Sequence, residues 1–151
     1  MSRRDAKTQS PKNNGNTNEM RIMEKQNENE ISKIIVDTCF QIHKQLGPGL
    51  LESVYEEILY YELTKLGLNI ERQKAIPVYW DSKKLEIGFR ADLIVEKKVI
   101  IELKSVDQLN NVFFKQLLTY LKITGLKLGL LINFNEALIK NGIHRVVNNL
   151  Y

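Results

Sequence analysis

The sequence predicts an α/β domain with a mixed β-sheet flanked by helices, and three observations lead to this fold class. Apolar residues recur at helical spacing in residues 29–46 and 50–66. Residues 70–103 then contain three segments rich in β-branched and aromatic residues, separated by turns. A helical segment at 107–123 separates the third strand from a fourth at 127–133, and a crossover of that length predicts that those two strands are parallel.

The chain is predicted to hold one domain, residues 28–151, preceded by a disordered tail at residues 1–27. The tail is polar, rich in Asn, Lys and Ser, and lacks apolar periodicity. The net charge of +4 is divided evenly between residues 1–28 and the remainder, so the folded part is only mildly basic. That balance is compatible with a nucleic-acid partner but does not by itself indicate one.

Composition excludes several classes of protein. A single cysteine, Cys39, excludes an internal disulfide framework and a multi-cysteine zinc site. No apolar run approaches the roughly 18 residues that a membrane span needs, and no signal peptide is visible. We therefore expect a cytoplasmic protein without a membrane partner.

The two N-terminal helices are separated by the break Leu46-Gly47-Pro48-Gly49-Leu50, because Gly47 can end a helix and Pro48 cannot continue one. The first helix, 29–46, is additional to the rest of the predicted fold. The second, 50–66, closes at Gly67 and carries Glu52 at the margin of its apolar face. The positive end of the helix dipole favours an ionised Glu52 there.

The strands follow in order. Residues 70–80 contain Pro77, which suggests an edge strand or a bulge. A turn at 81–83 leads to strands at 85–95 and 99–103, and a last short strand is expected at 144–147. In the crossover helix, Asp107 is a plausible N-cap, and Gln116 interrupts the apolar stripe, where a polar residue needs a partner.

Asp92, Glu102 and Lys104 interrupt the apolar pattern of the hairpin formed by 85–95 and 99–103. Alternation along a strand places Glu102 and Lys104 on the face of Ile100, and Asp92 on the face of Ile94. A three-residue loop sets Asp92 opposite Glu102, whereas a two-residue loop separates the carboxylates. The loop Glu-Lys-Lys lacks the Asn-Gly signal of a two-residue turn, so the longer loop is favoured.

Two neighbouring carboxylates on an apolar hairpin repel each other, and burial increases that cost. A divalent cation compensates both charges, and oxygen ligands suit Mg²⁺ or Mn²⁺. The alternative is a surface hairpin with a Glu–Lys pair and one unrelated Asp.

The motifs resemble those of the PD-(D/E)xK nuclease superfamily, whose core is α-β-β-β-α-β, the restriction-endonuclease-like fold. Asp92, Glu102 and Lys104 match the D…E-x-K pattern, although Ala91 replaces the proline of the superfamily name. The segment Gly49 to Tyr55 looks like the signature of the GxxExxY protein family within that superfamily. The phrases R-A-D-L-I-V, I-I-E-L-K, Q-L-L-T-Y-L and G-L-L-I-N-F are also similar.

The resemblance implies a role for each matched residue. Asp92, Glu102 and the backbone carbonyl of Leu103 would bind Mg²⁺ or Mn²⁺. Lys104 would position or activate the attacking water, and Glu52 would assist the metal directly or through water. Gln116 would orient Lys104 or contact the phosphate, with Tyr120 packing beneath it.

Two functions follow from these observations. The first is a metal-dependent nuclease that hydrolyses phosphodiester bonds, with DNA as the expected substrate. The alternative is a non-catalytic module that retains the nuclease fold and binds nucleic acid or protein. A homodimer is left open. The candidate phosphate contacts are Lys83, Lys84, Arg90, Lys97, Lys98 and Lys115.

Overall fold

The computed structural model describes residues 26–86 and 88–151. The predicted tail lies outside these residues except for Gln26 and Asn27, and the Asn27 side chain caps the first helix by accepting from Glu30 N–H. The elements in chain order are α1 (Glu28–Leu46), α2 (Glu52–Lys65), β1 (Ile70–Ile76), β2 (Tyr79–Trp80), β3 (Lys83–Lys84), β4 (Phe89–Val95), β5 (Val99–Lys104), α3 (Asn111–Thr124), β6 (Leu128–Asn133), a 3-10 turn (Ile139–Asn141) and β7 (Ile143–Val147).

The central sheet has five strands in the order β1-β4-β5-β6-β7. The β5–β6 pair is parallel and the other three pairs are antiparallel. The predicted mixed sheet, the α-β-β-β-α-β core with an extra N-terminal helix, and the parallel pair across the crossover helix are all confirmed.

Helices cover both faces of the sheet. Val99, Ile101 and Leu103 of β5 point into the core formed with α1 and α2. Ile100, between them in sequence, packs on the other face with Leu117 of α3. This alternation follows from the two-residue period of a strand, and burial on both faces explains why most residues of β5 and β6 are apolar.

The first two predicted strands are shorter in the structure than the sequence suggested. Pro77 lacks an N–H, and the ladder between β1 and β4 ends at Ile76, which pairs with Phe89. The chain then forms a separate small hairpin, β2–β3, instead of one long strand on either side of a turn.

The crossover helix also begins later than predicted. Asn110, not Asp107, is its N-cap and accepts a 3.0 Å hydrogen bond from Val112 N–H. The segment before it is held by the buried Asn133 side chain, which bonds the N–H and the carbonyl of Val106 at 3.1 and 2.9 Å. Since both Asp and Asn favour the N-cap, the sequence alone did not distinguish these positions.

The loop between α1 and α2 is fastened by Tyr55. Its hydroxyl donates to the Gly47 carbonyl at 2.6 Å and accepts from Leu50 N–H at 3.2 Å, while its ring stacks on Phe134 at 4.4 Å. The Leu50 carbonyl in turn accepts a 2.6 Å hydrogen bond from Ser105 Oγ. The start of α2 is thereby placed beside the residue that follows β5.

Within residues 26–86 and 88–151, no helix is both long enough and apolar enough to cross a membrane.

Candidate active site

The β4–β5 hairpin has the three-residue loop that the sequence favoured. Val95 pairs with Val99 and Leu93 with Ile101, with residues 96–98 between the strands. The same register sets Asp92 opposite Glu102. The predicted pairing of the two carboxylates is therefore confirmed.

Asp92 and Glu102 lie just beyond Leu93 and Ile101, the last main-chain pair between β4 and β5, and hydrogen bonds connect the two strands there. Asp92 Oδ2 accepts a 2.8 Å hydrogen bond from Leu103 N–H, and Glu102 Oε1 lies 3.4 Å from Asp92 N. Because the N–H and C=O of a strand residue leave the same edge of the strand, the Leu103 carbonyl lies on the edge that Asp92 occupies. Two carboxylates and one main-chain oxygen thus lie along this edge of β5, and their use as metal ligands stays a prediction.

Burial makes this carboxylate pair electrostatically costly. Glu102 is 9% exposed, and burial, followed by the negative charge of Asp92, raises its pKa to about 8. The hydrogen bond with the Asp92 backbone and the positive charge of Lys104 act in the opposite direction. At neutral pH the pair therefore favours binding a proton or a metal cation.

Lys104 lies on the same face and is partly buried. Its ammonium lies over the Phe113 ring of α3, 4.3 Å from the ring centroid, in cation–π contact. The structure therefore brings the third residue of the D…E-x-K pattern close enough to Glu102 to affect its pKa, and holds it with an aromatic residue.

α3 contributes Tyr120 to the site more directly than Gln116. Tyr120 is buried, its ring lies 4.7 Å from that of Phe89, and its pKa is raised first by burial and then by the charges of Glu102 and Asp92. Gln116 is exposed to solvent on α3. The expectation that Gln116 needs a buried partner is wrong, because the first half of α3 is partly exposed to solvent; a contact from Gln116 to phosphate stays a prediction.

Glu52 is exposed in the first turn of α2. No three acidic, His or Cys side chains among residues 26–86 and 88–151 are grouped closely enough to hold a metal ion. The Leu50–Ser105 hydrogen bond places the start of α2, which carries Glu52, beside the end of β5. Glu52 is nevertheless not grouped with the Asp92–Glu102 pair.

Sequence reasoning missed Glu56 and Gln73. Glu56 is 7% exposed and accepts from Arg72 Nε at 3.0 Å and from Gln73 Nε2 at 2.5 Å. Gln73 Nε2 also lies 3.3 Å from Asp92 Oδ1, so it joins a carboxylate of α2 to the candidate metal ligand. Gln73 has φ +51° within β1, a conformation that costs a non-glycine residue about 1 kcal/mol or more.

One signal in the sequence could have found Glu56, because it follows Glu52 by one helical turn and adjoins the apolar face of α2. No pattern predicts the positive φ of Gln73, since that conformation depends on contacts from distant parts of the chain.

The candidate phosphate contacts divide into two groups. Lys97 and Lys98 lie in the hairpin loop, about 20 Å along β5 from Lys104, so they belong to the opposite end of the sheet. The others are all exposed and lie on β3, β4 and α3: Lys83, Lys84, Arg90 and Lys115.

A mixed sheet that presents an Asp, a Glu and a Lys from one antiparallel strand pair defines an α/β protein of the nuclease-like class. A family model described as the PD-(D/E)XK nuclease superfamily matches residues 29–146, and the chain belongs to that superfamily. No curated protein and no solved structure gives a match. The narrower GxxExxY assignment stays a prediction.

Proposed function

We propose that this protein is a metal-dependent nuclease that hydrolyses phosphodiester bonds of DNA. The observation that carries the proposal is the Asp92–Glu102 pair, opposed across the hairpin, in which Asp92 N–H donates to the Glu102 carboxylate and Leu103 N–H donates to the Asp92 carboxylate. Membership of the nuclease superfamily supports a nucleic-acid substrate. The choice of DNA over RNA belongs to the proposal alone.

The chemistry of the donor set fits Mg²⁺ or Mn²⁺. Burial, followed by the negative charge of Asp92, raises the pKa of Glu102, and Lys104 only partly offsets this. A cation at the pair would therefore be favoured, and carboxylate and carbonyl oxygens are the ligands that Mg²⁺ and Mn²⁺ prefer. Asp92, Glu102 and the Leu103 carbonyl would hold the ion. When bound, it would stabilise negative charge on the phosphate and lower the pKa of its water.

The remaining residues would act around that centre. Lys104 would position the attacking water as an ammonium once it turns away from the Phe113 ring, or would take the proton of that water after first releasing its own proton to solvent. Gln73 would hold Asp92 in place through the hydrogen bond described above. Glu52 and Gln116, both exposed, are free to reach a bound substrate or its water, and we retain them as candidate catalytic residues.

The GxxExxY assignment is part of the same proposal. In this chain the glycine of that signature, Gly49, adopts a positive φ, and the tyrosine, Tyr55, fastens the loop that contains it through Gly47 and Leu50. Of the three residues that name the signature, Tyr55 is buried and Gly49 has no side chain, so Glu52 is the one with an exposed ionisable side chain. A homodimer and a cytoplasmic location also stay predictions.

Calorimetric titration with Mg²⁺ and Mn²⁺ tests the metal site. The wild type is compared with Asp92→Asn and Glu102→Gln, which keep side-chain shape while removing charge. Glu30→Gln, on the exposed side of α1, is the matched control. We expect metal binding that is lost in both site variants and kept in the control.

Cleavage of labelled single-stranded, duplex and branched DNA, and of RNA, is then followed with and without metal. Metal-dependent cleavage that both site variants abolish supports the nuclease. If metal binding and cleavage are absent even with nucleic acid present, the chain acts as a binding module that retains the fold.

A further inference from the structure

The β2–β3 hairpin carries two large aromatic side chains that the fold does not bury. It has two strand pairs, Tyr79 with Lys84 and Trp80 with Lys83, and forms a sheet of its own. Trp80 is 73% exposed and Tyr79 is 59% exposed. A hairpin this short gains little stability by itself, so these rings have no evident role in the core.

The pairing places one aromatic ring and one ammonium on each face of the hairpin. Residues directly opposite each other in an antiparallel pair point to the same side, with Cβ atoms about 5 Å apart. Trp80 therefore stands beside Lys83, and Tyr79 stands beside Lys84 on the other face.

The turn keeps the hairpin tight. Asp81 and Ser82 both have positive φ, at +49° and +63°, as a two-residue hairpin turn requires. Asp81 and Glu86 contribute negative charge near the lysines, and Arg90 adds a positive charge at the start of β4. Residues 81–90 therefore carry a net charge of +1.

The hairpin leaves the central sheet at the same end as the candidate active site. β1 stops at Ile76 opposite Phe89, and Phe89 contacts Tyr120, which lies beside the carboxylate pair. Lys84 shares a surface pocket with Arg90, two residues before Asp92. Asp92 follows Lys84 by eight positions, so their Cα atoms lie at most about 29 Å apart.

We propose that the β2–β3 hairpin binds single-stranded nucleic acid by stacking unpaired bases on Trp80 and Tyr79. Lys83 and Lys84 contact the adjoining phosphates. The choice of nucleic acid as the ligand rests on the proposed function. Single strands are favoured over duplex because duplex bases are already stacked on each other, whereas an unpaired base gains about 1–3 kcal/mol from an aromatic ring.

Binding is measured by fluorescence anisotropy with a labelled single strand of about 15 nucleotides, without divalent metal so that no cleavage occurs. Trp80 is the only tryptophan of the chain, so stacking of a base on its ring should also quench the intrinsic tryptophan fluorescence. We expect Trp80→Ala and Tyr79→Ala each to weaken single-strand binding by about 5- to 150-fold, the range that stacking energies imply.

Tyr61→Ala is the matched control, because Tyr61 lies on α2 with the same 59% exposure as Tyr79. It should leave the affinity unchanged. A duplex of equal length should lose less than the single strand in both hairpin variants.

The outcomes separate this inference from the nuclease proposal. Unchanged single-strand affinity in both hairpin variants, an equal loss for duplex, or no nucleic-acid binding by the wild type overturns the hairpin proposal. Metal-dependent cleavage by the wild type would then still support the nuclease. Conversely, hairpin-dependent binding without metal-dependent cleavage supports the hairpin and refutes the nuclease.

Discussion

Removing the charge of Glu102 should change how the stability of the metal-free protein depends on pH. The pKa of Glu102 rises from 4.5 in the unfolded chain to about 8 in the folded one. Between these values the folded state holds a proton that the unfolded state has released. The stabilisation is therefore complete below about pH 4.5 and is lost as the pH rises towards 8.

The magnitude follows from that difference in protonation. One extra bound proton lowers the free energy of unfolding by about 1.4 kcal/mol for each pH unit. From pH 5.5 to 7.5 the wild type should therefore lose roughly 2–3 kcal/mol of its free energy of unfolding through this group. Glu102→Gln is uncharged throughout and should lose that much less over the same interval.

Urea unfolding followed by circular dichroism, in buffer with a chelator, measures both slopes. Glu52→Gln, which removes an exposed carboxylate, serves as the control and should keep the wild-type slope. Equal slopes for the wild type and Glu102→Gln would refute the view that burial beside Asp92 raises the pKa of Glu102.

Three further predictions concern positions that support the site. Gln73→Ala and Gln73→Gly should both weaken metal binding, because each removes the hydrogen bond to Asp92. In urea unfolding the glycine variant should be more stable than the alanine variant by about 1 kcal/mol, because glycine adopts a positive φ without strain. Equal stability of the two variants would contradict backbone strain at this position. Tyr55→Phe should cost about 0.5–1.5 kcal/mol in thermal unfolding, because it removes two part-buried hydrogen bonds of the loop between α1 and α2. An unchanged melting temperature would count against this role of the hydroxyl. Gly129→Ala should destabilise by about 1–3 kcal/mol in urea, because its Cβ would lie 2.8 Å from the buried Leu117 side chain; a neutral result would mean that α3 can move aside.

The central part of the site could be predicted because it depends on local rules. Alternation along a strand and the length of one loop are enough to place Asp92 opposite Glu102 and Lys104 on the same face. The parallel pairing of β5 and β6 likewise follows from the length of the crossover. These features need no knowledge of distant contacts.

The features that were missed or misplaced depend on tertiary context. Helical spacing assigns Gln116 to an apolar stripe, but it does not reveal that the start of α3 is partly solvent-exposed, as the 45% exposure of Val112 indicates. The positive φ of Gln73 arises where β1 must reach both Glu56 and Asp92. Neither fact is encoded in a short window of sequence.

The hydrogen bonds of Tyr55 to the loop between α1 and α2 affect how the GxxExxY signature should be interpreted in other chains. Gly47 and Gly49 adopt positive φ, and the Tyr55 hydroxyl joins the two sides of the loop that contains them. These residues set the position of α2 without touching the carboxylate pair. A homologue that had lost Lys104 could keep the same glycines and tyrosine for architecture alone. A search with this signature would therefore collect active and inactive members together, and only the D…E-x-K residues would tell them apart.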